Sequence, residues 1–432
     1  MQRPARLLFD ISYTRTQAGN MGITRTVRRL FQEWTAALPA QGLECIPVAF
    51  NSAGFREIRG AGAANPAASL RPAERSKAAQ LFRWVTGETF RRMVVASTAL
   101  VPWHALRWIW SATSGWTFDA LSSQARPVEF RSGDILFLCD ASWNYPVWKA
   151  ARRARAQGAK VVLLVYDLIP LRHPQFCFPL VPHIFGLWLR EMLGIAHAVV
   201  CISAATEADV RQYAGETGLA LPPMTHFRLG SDLPRVDSAA ASVRPELARC
   251  LQGPAPCFAA IGSFEPKKNY EFLLEVFERL WARGMQVRLL IIGRESAESA
   301  ELISRLRRHP EQGNRLWTIF DASDAEVGHA YNHCRALVFP SLAEGFGLPL
   351  VEARTRGCRV IASDLPAFVE LADVGVRIYA SGSHVELANN ILEFARPDCA
   401  SKPSPMDAFT WQDSARQCIA RIETLLTSEA QP

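Results

Sequence analysis

Residues 339–353 read FPSLAEGFGLPLVEA, and this stretch decides the architecture of the chain. A short apolar strand ends at Phe339, a turn containing Gly345 and Gly347 follows, and Pro349 can begin a helix after it. Strand, glycine turn and helix in this order are typical of the ligand edge of an open α/β sheet, beyond the carboxyl ends of its strands. We therefore predict a Rossmann-like domain with a binding site at this turn.

The same alternation of short strands and helical segments extends outward over most of the chain. Buried parallel strands are continuous apolar runs without alternation, and the sequence contains several. The predicted strands are Arg6–Ile11, Asp134–Cys139, Lys160–Tyr166, Ala198–Ile202, Cys257–Ile261, Val287–Ile292, Ala336–Phe339 and Arg359–Ala362.

Length predicts two domains, because 432 residues exceed what one hydrophobic core usually holds. The segment Arg235–Pro256 is rich in Ala, Ser and Pro and separates two arrays of strands and helices. We predict an N-terminal domain over residues 1–240, a C-terminal domain over residues 250–408 and a final helix within residues 409–432.

The charge of the chain is unevenly distributed. Residues 1–160 hold 22 Lys and Arg against 10 Asp and Glu, within a chain whose formal net charge is +7. A basic half favours an anionic partner such as a membrane surface or a lipid phosphate, and nucleic acid is disfavoured because no nucleic-acid-binding motif accompanies it. The ten cysteines lie singly, and the start of the chain does not resemble a signal peptide, so a reducing cytoplasmic location is expected.

Residues 56–130 interrupt the alternation with a basic insertion rich in tryptophan. Its uncharged run Met93–Leu106 is too short to span a bilayer. Basic residues beside Trp suit an element lying in the headgroup plane, and a buried helical insertion on the first domain is the equal alternative. The tryptophans are Trp84, Trp103, Trp108, Trp110 and Trp116.

Two clusters in the C-terminal half indicate where a ligand binds. Glu344 and Glu352 flank the glycine turn, and carboxylates commonly accept hydrogen bonds from sugar hydroxyls. The segment GSFEPKKN (262–269) follows a predicted strand and carries Lys267 and Lys268. Adjacent cations there suit an anionic ligand such as a diphosphate.

These residues resemble those of a known family. EGFGLPLVE (344–352) is similar to the acidic-pair motif of the retaining glycosyltransferases of family four, whose GT-B fold has two Rossmann-like domains facing a central cleft. The resemblance implies that Glu344 contacts the donor sugar and Glu352 the ribose. It further implies a diphosphate at Gly345 and at the amides of Phe346, Gly347 and Leu348.

The segment GSFEPKKN is similar to a G-T-x-E-P-R-K-N segment of mannosyl- and rhamnosyltransferases in that family. The resemblance places Gly262 and Ser263 at the donor, with Lys268 and Lys267 on its diphosphate. Gly293 and Arg294 resemble the family's strand end near the base.

The N-terminal half carries weaker matches to the same family. Gly22 belongs to a loop that in the family reaches over the diphosphate. Tyr166 and Asp167 lie where related enzymes have His-Asp, the His approaching the donor sugar, so both are candidate catalytic residues. The Tyr is a departure from that pattern, although its hydroxyl can still donate to a sugar oxygen.

The resemblance implies transfer of a hexose, with mannose favoured, from a nucleotide-diphosphate sugar such as GDP-mannose to a lipid-linked saccharide, with retention. No cofactor is expected, and no metal, because no Asp-x-Asp motif follows a strand. Alternatives are a non-catalytic, membrane-associated assembly partner, a GT-B epimerase or phosphorylase, and a hydrolase that uses Glu344 and Glu352 as acid and base. The protein is expected in the cytoplasm or peripherally on the inner face of the plasma membrane.

Overall fold

The chain divides into two compact α/β units. The computed structural model describes residues 5–17, 22–51, 53–58, 126–232, 243–399 and 401–428. Unit 1 comprises residues 1–228 and 411–432, and unit 2 comprises residues 229–410. The division thus follows Arg228, upstream of the predicted linker. That linker includes a helix, because Leu247, Cys250 and Leu251 lie at helical spacing and are buried.

A mostly parallel sheet is the centre of unit 1. In space its strands follow the order β4-β3-β2-β1-β5-β6-β7-β8, and only β3 and its neighbours pair antiparallel. The chain leaves β1 towards β2 on one side and returns to β5 on the other, so the switch point lies between β1 and β5. The strands are β1 (Ala5–Asp10), β2 (Leu43–Asn51), β3 (Gly54–Glu57), β4 (Arg126–Pro127), β5 (Ile135–Leu138), β6 (Lys160–Val165), β7 (Ala198–Cys201) and β8 (Met224–His226).

Helices connect these strands, and the spacing of buried residues in the first helix explains why this segment is helical. Its buried residues Val27, Leu30, Phe31 and Trp34 recur at the spacing of one helix face. The ring of Phe9 on β1 packs against this face, 5.3 Å from Phe31 and 5.6 Å from Trp34 between centroids. The helices of unit 1 are α1 (Ile23–Ala37), α2 (Trp148–Ala156), α3 (Ile169–Arg172), α4 (Val181–Leu193) and α5 (Ala204–Thr217).

The last described helix of the chain, Trp411–Ser428, also belongs to unit 1. The indole N–H of Trp34 on α1 donates to the carbonyl of Ala415 at 2.8 Å, and Trp411 is fully buried. The predicted final helix therefore begins at Trp411 and packs on the N-terminal α/β domain.

Unit 2 contains a six-stranded, fully parallel sheet of the dinucleotide-binding type. Its strands follow the spatial order β11-β10-β9-β12-β13-β14, which is the doubly wound order 3-2-1-4-5-6. The switch point, where such sheets bind ligands, lies between β9 and β12. The strands are β9 (Cys257–Ile261), β10 (Arg288–Ile292), β11 (Leu316–Ile319), β12 (Ala336–Phe339), β13 (Arg359–Ser363) and β14 (Val376–Tyr379).

The helices of unit 2 alternate with its strands, as a parallel sheet requires. They are α6 (Pro245–Gln252), α7 (Tyr270–Ala282), α8 (Ala300–Arg307), α9 (Asp324–His333), α10 (Leu348–Arg354), α11 (Pro366–Glu370) and α12 (His384–Ala395). The helix Trp411–Ser428 is α13. Helix α10 begins at Leu348, so Pro349 is its second residue and not its first.

The predicted basic insertion falls mostly outside the described residues. Strand β3 extends to Glu57, and the sheet resumes with β4 at Arg126. Residues 59–125, with all five tryptophans of the predicted membrane element, are not described. None of the described helices is long and apolar enough to cross a membrane.

Candidate active site

The carboxyl ends of β9 and β10 touch each other through their backbones. The amide of Gly262 donates to Ile292 O at 2.9 Å, and the amide of Phe264 donates to Arg294 O at the same distance. A Cβ atom on Gly293 would lie 1.7 Å from the carbonyl oxygen of Gly262. Glycine at 293 is therefore a steric requirement for this edge of the sheet.

Lys268 reaches the switch point from the turn after β9. Residues Pro266–Lys268 form a 3₁₀ turn that ends at Asn269, which adopts a left-handed conformation before α7. The Lys268 ammonium pairs with a carboxylate oxygen of Glu344, and it lies 4.9 Å from the ring centroid of Phe339. The side chains of Lys268 and Glu344 are 10% and 13% exposed, so the ion pair is mostly buried and still reachable.

Two serines support the position of Glu344: Ser341, which follows β12, and Ser363, the last residue of β13. The hydroxyl of Ser341 donates to the same Glu344 oxygen at 3.0 Å, and the hydroxyl of Ser363 donates to Ser341 O at 2.6 Å. The amide of Leu342 donates to Lys267 O at 2.8 Å, which ties the two loops together. Two donors therefore fix the position of the Glu344 carboxylate.

The glycine turn presents backbone amides next to this ion pair. Gly345, Phe346 and Gly347 are buried, and Gly347 has φ +107°, a conformation that side chains rarely adopt. A Cβ on Gly347 would also lie 2.8 Å from the ring of Phe368. In the described part of the chain, the amides of Phe346, Gly347 and Leu348 have no hydrogen-bond acceptor. They are donors that an anionic ligand can use.

Glu352, the second acidic residue of the motif, is more deeply placed than Glu344. It is 3% exposed, and its carboxylate accepts a hydrogen bond of 3.1 Å from the hydroxyl of Tyr331 on α9. Of the two carboxylates, which are eight residues apart, Glu344 therefore lies at the surface of the site and Glu352 lies in its wall. The contact of Glu352 with a ribose stays a prediction.

Each of the two predicted cations, Lys267 and Lys268, forms an ion pair with a glutamate of the same site. Lys267 pairs with Glu265 at 2.9 Å, and the hydroxyl of Ser263 donates to Glu265 at 2.6 Å. Burial raises the pKa of Glu265, but Lys267, Ser263 and Lys268 together lower it below its ordinary value. The cluster therefore contains two carboxylates beside its two ammonium groups, which the sequence reading did not anticipate.

Gly293 and Arg294 follow β10 at the same edge of the sheet. Arg294 is exposed, and its side chain makes no hydrogen bond or ion pair with the residues that the structure describes.

Within the described ranges, no group of three or more His, Cys, Asp or Glu residues could hold a metal ion.

Two of the candidates in unit 1 make hydrogen bonds within that unit. The phenol of Tyr166 is 5% exposed and donates to Cys139 O at 2.6 Å, and burial raises its pKa. The O–H of this residue is therefore used inside the sheet, and its contact with a sugar stays a prediction. Asp167 is half-buried, and its carboxylate accepts from the amide of Ile169 at 3.0 Å at the start of α3.

Gly22 precedes α1 with φ 54° and ψ −124°, and its carbonyl accepts from the amide of Thr26 at 3.1 Å. It is exposed, as a ligand-contacting loop residue would be. Residues 18–21 of the same predicted loop lie outside the described residues, so its reach over a diphosphate stays a prediction.

Sequence reasoning missed two groups that shape these edges. Ser341 supports Glu344, and Asp10 ends β1 with its carboxylate fully buried. A carboxylate directly after an apolar strand, as in LLFD (7–10), is a signal that could have identified Asp10.

The part of the sequence that forms this site matches a model of a known protein family. The description Glycosyl transferases group 1 matches residues 251–398, from just before β9 to just after α12. The match lies wholly within unit 2. The matched residues of this domain include Lys268, Glu344 and Glu352, so the site described above lies within the family's own region.

Relatives of the group 1 domain include mannosyltransferases. The serotype-specific mannosyltransferase WbdA of Escherichia coli is 29% identical over 318 residues, which are 71% of this chain and 39% of WbdA. A phosphatidyl-myo-inositol mannosyltransferase of Mycolicibacterium smegmatis is 36% identical over 106 residues, 24% of this chain and 26% of that protein. The chain therefore spans well under half the length of WbdA.

A solved structure confirms the fold. Sucrose-phosphate synthase from Thermosynechococcus elongatus superposes with a TM-score of 0.59 at 15% identity, over 99% of this chain and 96% of that one. The predicted fold of two Rossmann-like domains is thereby confirmed. The family match and the mannosyltransferase relatives confirm the resemblance to glycosyltransferases.

Proposed function

We propose that this chain transfers a hexose, with mannose favoured, from a nucleotide-diphosphate sugar to a growing, lipid-linked saccharide in surface polysaccharide synthesis. The observation that carries the proposal is the Lys268–Glu344 ion pair beside the amides of Phe346, Gly347 and Leu348 at the switch point of unit 2. The names of WbdA and the M. smegmatis relative support mannose as the sugar. GDP-mannose is accordingly the favoured donor.

Different groups of the site can bind the diphosphate and the sugar in such a reaction. An ammonium group has three N–H donors, so Lys268 can keep Glu344 and still bind a phosphate oxygen. With the three amides, it would stabilise the negative charge that grows on the diphosphate as the bond from the anomeric carbon to phosphate oxygen breaks. The second oxygen of Glu344 can accept a hydrogen bond from a donor-sugar hydroxyl.

Retention of configuration requires that the acceptor oxygen attack the face from which the diphosphate leaves. In the proposed step the acceptor hydroxyl forms the new bond to the anomeric carbon, and its proton passes to an oxygen of the departing phosphate. The protein then contributes positioning and charge stabilisation. No metal or organic cofactor belongs to this proposal.

The basic N-terminal half supports a place for the enzyme at an anionic membrane surface, on the side where nucleotide sugars are made. Peripheral attachment at the inner face of the plasma membrane is therefore part of the proposal.

A second candidate function, a non-catalytic assembly partner with the same fold, is favoured by one observation. The residue at the family's His position, Tyr166, is committed to Cys139 O inside unit 1. A chain that had lost transfer could tolerate that change.

Calorimetric titration of the full chain with GDP, UDP and dTDP separates the two candidates. We expect GDP to bind most tightly and GDP-mannose to give transfer to a mannosyl-terminated acceptor, with the anomeric configuration of the product read by NMR. Absence of binding by all three nucleotides would favour the assembly partner. Donor hydrolysis without transfer would favour a hydrolase, and an inverted product would exclude the retaining mechanism.

A further inference from the structure

A groove of about 930 Å³ lies on unit 1. It is bordered by the segment after α3, by the outer face of α4 and by Tyr213 on α5. Pockets that enclose small molecules have volumes of about 300–1,000 Å³, so the groove is large enough for one. Its apolar lining includes Leu171, Pro174, Pro179, Pro182, Leu187 and Tyr213.

One side of the groove is a face of α4 with an imidazole near one end and a guanidinium near the other. His183 and Arg190 are seven residues apart, two helical turns, and therefore lie on the same side of α4 at a separation of about 10 Å. Gly186 lies between them, where a Cβ would come within 3.3 Å of a methyl group of Leu171. The missing side chain keeps the floor of the groove open.

The charge of the groove is unbalanced in favour of an anion. Arg190 is exposed, and its guanidinium makes no hydrogen bond or ion pair with a described residue. None of the described residues that line the groove is acidic. Both carboxylates that flank Tyr213 on α5 pair with Arg172, Asp209 at 2.7 Å and Glu216 at 2.5 Å, and neither of them lines the groove.

We propose that this groove binds a lipid phosphate, with the hydrocarbon chain along Leu171, Leu187 and Tyr213 and the phosphate at Arg190. A free saccharide would need polar partners along its whole length, whereas most of this lining is methylene, proline ring and aromatic ring. A guanidinium is suited to paired hydrogen bonds with phosphate oxygens. The volume accommodates the part of the chain nearest to the phosphate.

The lipid in question is the one that carries the acceptor saccharide, and this assignment rests on the proposed function. A site for the carrier on unit 1 would hold the acceptor on the protein between successive transfers. The binding itself needs neither the donor nor the reaction, so it can be tested separately.

The test is calorimetric titration of the full chain with farnesyl phosphate below its critical micelle concentration, with farnesol and inorganic phosphate as partial probes. We expect one farnesyl phosphate per chain, and at least about tenfold weaker binding by Arg190→Gln, since a charge-assisted pair is lost. The matched control is Arg153→Gln, an exposed arginine on α2 without a described partner, which should leave binding unchanged. Gly186→Leu should fill the groove and abolish binding.

Other outcomes would overturn the proposal. Unchanged binding by Arg190→Gln, or farnesol binding as tightly as farnesyl phosphate, would remove the phosphate site. Displacement of the probe by mannobiose would reassign the groove to the saccharide. Binding of phosphatidylglycerol vesicles that both Arg190→Gln and Arg153→Gln weaken equally would indicate a general membrane surface. Because Arg190 supports no other described group, its variant stays informative even if Gly186→Leu fails to fold.

Discussion

The two sheets of this chain have switch points that are alike in topology and opposite in chemistry. Between β9 and β12 of unit 2, Lys268 and Glu344 pair at a position that solvent still reaches. Between β1 and β5 of unit 1, Asp10 and Asp140 are 0% and 1% exposed. Burial raises the pKa of both carboxyls, and for Asp10 the charge of Asp140 adds to the effect.

The carboxylates of unit 1 organise loops and are closed to ligands. Asp140 accepts from the amides of Tyr13 and Thr14 at 2.8 and 2.7 Å, which fixes the turn after β1. Asp10 accepts from the amide of Ser12 at 3.0 Å. The comparison teaches that the same edge of a Rossmann-like sheet can either bind a ligand or hold the loops that follow its strands. The exposure of the charged groups at that edge decides between the two roles.

The largest effects are expected at the switch point of unit 2. Lys268→Met and Glu344→Gln should each lower kcat about 10²–10³-fold, because each removes a fixed charge or acceptor at the reacting groups. The double variant should lose less than the product of the two losses, since paired residues act as a unit. Initial-rate kinetics with GDP-mannose measures both.

The matched control is Glu393→Gln, which breaks an ion pair with Arg377 whose side chains are 42% and 47% exposed. It should leave kcat unchanged, because exposed pairs contribute little. Wild-type rates in either Lys268→Met or Glu344→Gln, with the fold verified by circular dichroism, would refute the site.

The next largest effect concerns the backbone contact that builds this edge. Gly293→Ala would place a methyl group 1.7 Å from Gly262 O, and the two glycines directly follow strands that pair with each other. We expect a loss on the order of 3 kcal/mol in the free energy of unfolding, because neither backbone can move away. Gly313→Ala is the control, since φ there is +81° with no atom within 4 Å, and strain alone costs about 1–2 kcal/mol. Equal losses in urea unfolding would show that the close approach is unimportant.

Much of the fold was predictable from the sequence, because eight strands are continuous apolar runs at the positions that the structure gives. Strand β2 was missed because it contains Pro47, which usually argues against an interior strand. Strand β11 was missed because Trp317 and Thr318 in its middle are half-buried, so it is not a continuous apolar run. Short or proline-containing strands are fixed by pairing with neighbours, and single-strand patterns do not contain that information.

The site was predictable where a motif joined charge to a glycine turn, as at Glu344. It was not predictable where two side chains of one loop meet, because the Ser341–Glu344 hydrogen bond and the Glu265–Lys267 pair depend on side-chain direction. Tyr166 shows the converse, since its position at a strand end suggested chemistry and the fold buries its hydroxyl.

A smaller effect should separate the buried carboxyls of unit 1 from the ion pair of unit 2. Burial raises the pKa of Asp10 to about 7, whereas the unfolded chain releases this proton near pH 4. Between these pH values the folded state binds more protons, so stability falls as pH rises and stays low above pH 7. Asp10→Asn should therefore be more stable than the parent at pH 8, with the difference closing towards pH 4. A difference that does not change with pH in urea unfolding would contradict the buried, protonated carboxyl.

The smallest effect is expected at Tyr166, and it tests the comparison most directly. Tyr166→Phe removes a buried hydroxyl that donates to Cys139 O at 2.6 Å, and it leaves the ring in place. The free energy of unfolding should fall by about 1 kcal/mol, as for one hydrogen bond whose acceptor is left without its donor. Because the hydroxyl is enclosed in unit 1, its removal should take no contact away from the substrate. The values of kcat and KM for GDP-mannose should therefore stay within about twofold of those of the parent. A hundredfold loss of kcat with unchanged stability would mean that the hydroxyl meets the sugar during turnover, and unit 1 would then contribute to the chemistry as well as to anchoring.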